Sequence, residues 1–204
     1  MGADGTAHKD GEEPPRERRE AILDAAARLI SKSGVRGLRV EEVASEAKVS
    51  PPLLYYHFAS RSGLIRAALE HASEHAPSTA LRSSPPEGPD GYSAVLGALL
   101  AELDDDRTVR DNAIVWGEVS ATAVFEPALR EDVRRVVDEW SAAVQEGIRR
   151  GLADGSIRKG VDPERSAEIL ISLVDGLCTR WLAGALEREQ ARELLEAAIE
   201  GLLA

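Results

Sequence analysis

From Ser50 to Phe58 the chain reads Ser-Pro-Pro-Leu-Leu-Tyr-Tyr-His-Phe, a short run that mixes donors with apolar groups. Its hydroxyls and imidazole can donate to phosphate oxygens, and its Pro and Leu methylenes can touch thymine methyls. That is chemistry suited to the major groove of DNA. Other reactive residues are sparse. His71 and His75 stand at i, i+4, a spacing that can hold zinc on a helix, but no third ligand accompanies them, so a solvated helix face is the reading. Cys178 is the single cysteine and reads as a small buried hydrophobe in the apolar run from Ala167 to Leu186. No Ser-His-Asp arrangement, glycine-rich phosphate loop or paired-carboxylate motif stands out. The expectation is a protein without catalysis, cofactor or metal.

The nine-residue run must be positioned by helices. Ile22, Ala26, Leu29 and Ile30 recur at helical spacing and lead to a stop at Ser33-Gly34. Val40, Val43, Ala44 and Ala47 mark a second, short helix, and Lys48-Val49-Ser50 a tight turn. Ser50 is a good N-cap, and Pro51 sits at the first helical position, where its missing N–H is not needed. At about 100° per residue, Leu54 and Phe58 turn inward with Ile22, Leu29 and Val43. Pro52, Leu53, Tyr56 and His57 then face outward or to the flanks. Tyr55 is read as mainly packed, with its hydroxyl able to reach a phosphate. Two short helices joined by a tight turn form a helix-turn-helix, whose second helix enters the major groove.

Charge distribution allows this reading, although the net charge of −11 does not suggest it. Residues 1–13 carry net −3, residues 14–75 net +2, and residues 76–204 net −10. Only the middle segment could offer cations to phosphates. Residues 1–15 read as a disordered arm, 16–75 as a DNA-binding domain, 76–91 as a proline-rich linker and 92–204 as a second domain. Helices are expected near 92–105, 107–125, 127–153, 163–184 and 188–203, with Pro127 and Pro163 at first helical positions, Asp162 an N-cap and Gly155 a stop. The fold class is all-α. No apolar run reaches the roughly 18 residues of a membrane span, and the lone cysteine suits a reducing cytoplasm.

Around the turn the sequence resembles the TetR family. That family pairs an amphipathic first helix with a Thr-led second helix ending Ile-Ala-x-x-Ala-Gly-Val-Ser. A Leu-Tyr-x-His-Phe helix follows, then a Lys-x-x-Leu start to the fourth. Here the matching residues are Val43-Ala44-Ser45-Glu46-Ala47-Lys48-Val49-Ser50, Leu54-Tyr55-Tyr56-His57-Phe58 and Arg61-Ser62-Gly63-Leu64. The resemblance covers about residues 18–70, with Asp162-Pro163-Glu164 and Val174-Asp175-Gly176-Leu177 similar to parts of the family's regulatory domain. Two positions depart from it. Lys48 replaces the turn glycine, and Arg39 stands where Thr usually caps the second helix.

The resemblance implies DNA contacts at Tyr56 and His57, and a phosphate contact at Arg61 in place of the family's lysine. Arg39, Lys48, Ser50, Pro52, Leu53 and Tyr55 complete the candidate DNA-binding set. It also implies a C-terminal domain for ligand binding and dimerisation, with the pocket in the middle helices. Trp116, Trp140 and Asp175 are the candidate ligand-binding residues; ordinary core packing, or a bond from Asp175 to a neighbouring helix, is the alternative for each. The function expected is a ligand-responsive regulator that a small molecule releases from its double-stranded operator. The dimer is expected to form through residues 163–184 and 188–203. The competing reading is an effector-free DNA-binding protein that acts through a protein partner. An apolar cavity with polar anchors would favour the first, a filled core the second.

Overall fold

The computed structural model describes residues 15–83 and 88–204. The expected arm at 1–15 therefore lies outside the described residues except for Pro15, which opens the first helix. Among the described residues every regular element is helical: α1 (Pro15–Gly37), α2 (Val40–Glu46), α3 (Pro51–Phe58), α4 (Arg61–Glu74), α5 (Gly91–Ala101), α6 (Arg107–Ala123), α7 (Arg130–Asp154), α8 (Pro163–Leu182) and α9 (Arg188–Leu203).

Local chemistry sets the boundaries. Gly34, at φ +71, breaks α1 before its last turn. Asp162 caps α8 by accepting from the Glu164 and Arg165 N–H groups, with Pro163 following at the first position. Gly155, at φ +82, ends α7 in the left-handed conformation that lacks a Cβ penalty. Two expectations need correction. Pro127 does not begin the long helix; it begins a 3-10 turn, Pro127–Leu129, and α7 starts at Arg130. The segment expected as a bare linker contains a second 3-10 helix, Pro77–Ser83, which packs against α5 and α7 and buries Leu81.

Packing divides into two apolar cores. One gathers Ile22, Ile30, Val43, Leu54, Phe58, Leu64 and Ile65 from α1–α4, and continues onto Val115, Val119 and Ala123 of α6 and Val136 of α7. The other joins α5, α7, α8 and α9 through Val95, Leu99, Ile148, Leu170, Leu195 and Ile199. The N-terminal head, α1–α4, thus shares its core with α6, which runs on to the cavity described below. Ion pairs reinforce this seam, with Arg66 of α4 3.0 Å from Asp132 of α7.

His71 also departs from its expected place on a solvated face. It is buried on α4, with Nε2 2.7 Å from the Asp24 carboxylate of α1, and its neighbour His75 sets Nδ1 against the His71 carbonyl. No group of three or more His, Cys, Asp or Glu is arranged to hold a metal among the described residues, nor is any described helix long and apolar enough to cross a membrane.

A helix-turn-helix surface and a cavity behind it

The recognition surface is built from the turn outward. Ser50 caps α3 by accepting the Leu53 N–H at 3.4 Å, and Ser60 caps α4 by accepting that of Gly63 at 3.0 Å. The α3–α4 corner is tight: a Cβ at position 63 would lie 2.1 Å from the Phe58 carbonyl oxygen, so only glycine fits. Lys48 takes up a left-handed φ of +55, the conformation the missing glycine would have accepted freely. Arg39 precedes α2 without any side-chain cap bond, and its guanidinium lies 3.8 Å from Glu42.

Leu54 and Phe58 are buried, and the Arg19 guanidinium sits 5.6 Å from the Phe58 ring centre. Tyr56 is 83% exposed and Tyr55 45% exposed, so Tyr55 is an open side chain rather than the packed one expected. Pro52 is exposed; Leu53 and His57 are half-buried flank positions. The His57 ring lies edge-on to Tyr56 at 5.5 Å. Beside this helix, Arg18, Arg28, Lys48, Ser50 and Leu53 line a crevice between the start of α1 and the turn.

Arg61 is placed differently from the other candidates. Its Nε donates to the Leu38 carbonyl at 3.0 Å and its Nη2 to the Val35 carbonyl. The guanidinium, expected at a phosphate, here donates to carbonyls at and just past the end of α1, and the Val35 carbonyl also accepts the Leu38 N–H. A longer, forked cation can reach back where a lysine would extend outward.

Behind the head lies a cavity of about 540 Å³ between α4, the 77–83 segment, α6, α7 and α8. Trp116, Trp140 and Asp175, chosen from sequence, all line it. Asp175 accepts the Trp116 indole N–H at 2.9 Å, which joins α8 to α6. Burial pushes the Asp175 carboxyl up to about 6, with the Trp116 bond opposing. Sequence reading missed Glu102, which follows Ala101 at the end of α5 and looks like any solvated acid. The fold turns it inward, where it accepts the Ser78 N–H at 2.9 Å and burial raises its pKa. Cys178 also lines the cavity, its thiol 3.6 Å from the Glu102 carbonyl oxygen and pushed up to about 12 by burial, then by Glu102 and Asp175. So protonated a thiol is a poor nucleophile. Ser120 Oγ and Trp140 Nε1, also in the lining, are buried with no hydrogen-bond partner among the described residues. Such groups normally find one.

A helix-turn-helix head sharing its core with a helical domain that encloses a cavity defines a one-component transcriptional regulator. Residues 22–68 match the model for bacterial regulatory proteins of the tetR family, and residues 92–204 match that for the BetI-type transcriptional repressor C-terminal domain. The chain belongs to the TetR family and is a ligand-responsive DNA-binding repressor. Among solved structures, a TetR-family regulator from Rhodococcus sp. is 39% identical, with a TM-score of 0.85 over 93% of this chain and 100% of that one. A transcriptional regulator from Saccharomonospora viridis in complex with choline is 26% identical, with a TM-score of 0.77 over 92% and 98%. Among curated relatives, the regulator TtgR of Pseudomonas putida is 28% identical over 83% of this chain and 82% of its own length. BetI of Paraburkholderia xenovorans is 25% identical over 84% of each.

Proposed function

We propose that this chain is a homodimeric repressor released from its operator by an organic cation that enters the cavity. The observation that carries the effector class is the pair of carboxyls, Glu102 and Asp175, set beside Trp116 and Trp140. Among the described residues neither carboxyl has a cation at ion-pair distance, and Arg82 in the lining turns to Glu139 at 3.7 Å. A buried carboxylate without a cation is costly, and a ligand cation relieves that cost. Indole rings add cation–π attraction of about 0.5–2 kcal/mol. The idle donors Ser120 Oγ and Trp140 Nε1 suit an oxygen on the same ligand. The choline-bound state of the Saccharomonospora viridis regulator supports this class.

On the DNA side, Pro52, Leu53, Tyr55, Tyr56 and His57 form the groove-facing surface, with Arg39, Lys48 and Ser50 toward phosphates. Dimerisation uses α8 and α9. Several apolar residues of these two helices, Leu170, Leu177, Leu195 and Ile199, are consumed inside the chain. Ile169 and Leu194 remain 41% and 51% exposed, and Gly176 and Gly201 open onto free space on the same helices. In a two-fold pairing these would meet their copies as a four-helix contact.

The test is a titration of tryptophan fluorescence and of operator-bound anisotropy with choline and with 3,3-dimethylbutan-1-ol, its neutral isostere. Choline should bind and release the operator, and the neutral alcohol should do neither. Equal binding of the two would remove the cation from the proposal.

A further inference from the structure

One side chain belongs both to the cavity wall and to the head. Glu118 of α6 lines the cavity, and its Oε2 accepts the Val35 N–H at 2.9 Å, in the last turn of α1 just past the Gly34 kink. Next to it, Gly34 brings the backbone so close that a Cβ there would lie 2.7 Å from Glu118 Oε2. With φ at +71, position 34 favours glycine for its backbone, and a Cβ there would also push the Glu118 carboxylate aside. On the opposite side of the same peptide segment, Arg61 donates to the Val35 and Leu38 carbonyls. Arg61 is the first residue of α4, three positions after α3 ends at Phe58. A continuous run of polar contacts therefore leads from the cavity wall, through the Val35 peptide, to the corner that aims the recognition helix.

We propose that Glu118 is the positioning residue through which the cavity sets the placement of the head, holding Val35 in the operator-binding form and releasing it when the cavity fills. The inference rests on the dimeric, effector-released reading above. A cation inside the cavity attracts the carboxylate of this lining residue, and each increment of that attraction weakens its hold on Val35. The ligand then binds the released form better than the operator-binding form, as any effector-driven shift requires. The surrounding apolar contacts of α1 with α6, through Val115 and Val119, keep the two helices together while the polar bond switches. Loss of the bond lets the head rotate on α6 without unfolding.

The experiment measures head placement directly. An operator selected by the full-length wild-type protein from a random pool is rebuilt with one and two base pairs added to or removed from the half-site spacing. Binding of wild type, E118M and E118Q is measured across the series. Wild type should prefer one spacing by about tenfold or more, in the range of ordinary coupling between sites. E118M fills the same space without an acceptor and should bind all spacings within about threefold of one another. E118Q, whose amide oxygen still accepts the Val35 N–H, should keep the wild-type preference. A merely structural role would lower affinity equally at every spacing, and that result in E118M would overturn the proposal. So would an unchanged preference in E118M. Should E118M not fold, hydrogen exchange at the Val35 amide of wild type decides: protection lost on adding choline supports the switch, and protection unchanged in choline-bound protein overturns it. A wild-type protein indifferent to spacing would overturn the dimer reading along with this one.

Discussion

Asp175 of α8 accepts the indole N–H of Trp116 of α6 at 2.9 Å, and both side chains line the cavity. The bond ties together two walls of the cavity. It also leaves Asp175 with a single neutral donor, too little to offset burial, and its carboxyl rises from 3.8 to about 6.

That elevation has a stability consequence with a definite sign. Between pH 3.8 and about 6 the folded chain holds a proton that the unfolded chain has lost. The associated stabilisation is complete below the lower value and gone once the pH passes the upper one. At 1.36 kcal/mol per pKa unit it amounts to about 3 kcal/mol at most. Asp175→Asn keeps an oxygen for the Trp116 N–H and carries no charge. It should melt above wild type at pH 7.5, match it near pH 4, and fail to bind choline. Thermal melts at the two pH values and one titration check all three outcomes.

Tyr56 and Phe58 lie two residues apart on α3 yet should behave oppositely. Tyr56→Ala removes an exposed ring and should leave the melting midpoint nearly unchanged while weakening operator binding. Phe58→Ala empties a core position and should destabilise the head by about 3–5 kcal/mol. Equal melting losses for both would show that α3 is rotated from the orientation described.

The helix-turn-helix was legible because its signals are local: a serine cap, a proline at the first position, and an inward pair, Leu54 and Phe58, four residues apart. Trp116, Trp140 and Asp175 were legible as large or charged groups in otherwise apolar helices. Glu102 and Glu118 were not, since each looks like a surface acid until the fold sets it against the Ser78 or Val35 N–H. The carbonyl partners of Arg61 were hidden for the same reason: they lie 23 and 26 residues away. Residues defined by distant backbone carbonyls or amides leave no periodic trace.

Salt dependence separates Arg61 from the phosphate contacts. Each phosphate neutralised contributes about 0.9 to the slope of log affinity against log salt. Lys48→Ala should reduce that slope by about one unit per head. Arg61→Ala should leave the slope unchanged and lower the melting midpoint, because the bonds to the Val35 and Leu38 carbonyls are lost. A reduced slope in Arg61→Ala would return that residue to the DNA surface.

Charge placed on the exposed apolar pair should disrupt the dimer. Leu194→Glu sets two like charges across a two-fold contact without touching the buried Leu195 or Ile199. Sedimentation should show a monomer with unchanged helical content. A wild-type-like dimer would put the interface elsewhere.

Lys48 offers the sharpest separation of stability from function. At φ +55 its Cβ crowds the backbone, a cost of about 1–2 kcal/mol for residues other than glycine. Lys48→Gly relieves that cost, and the greater freedom of glycine in the unfolded chain takes back about 0.5–1 kcal/mol of it. The variant should therefore be more stable by about 0.5–1 kcal/mol. It also removes a cation from the crevice beside α3, so operator affinity should fall, and fall more at low salt than at high. Denaturant melts and anisotropy titrations at two salt concentrations measure the two effects independently. A variant that gains stability and keeps full affinity at both salt concentrations would show that Lys48 is a strained turn residue with no part in holding DNA.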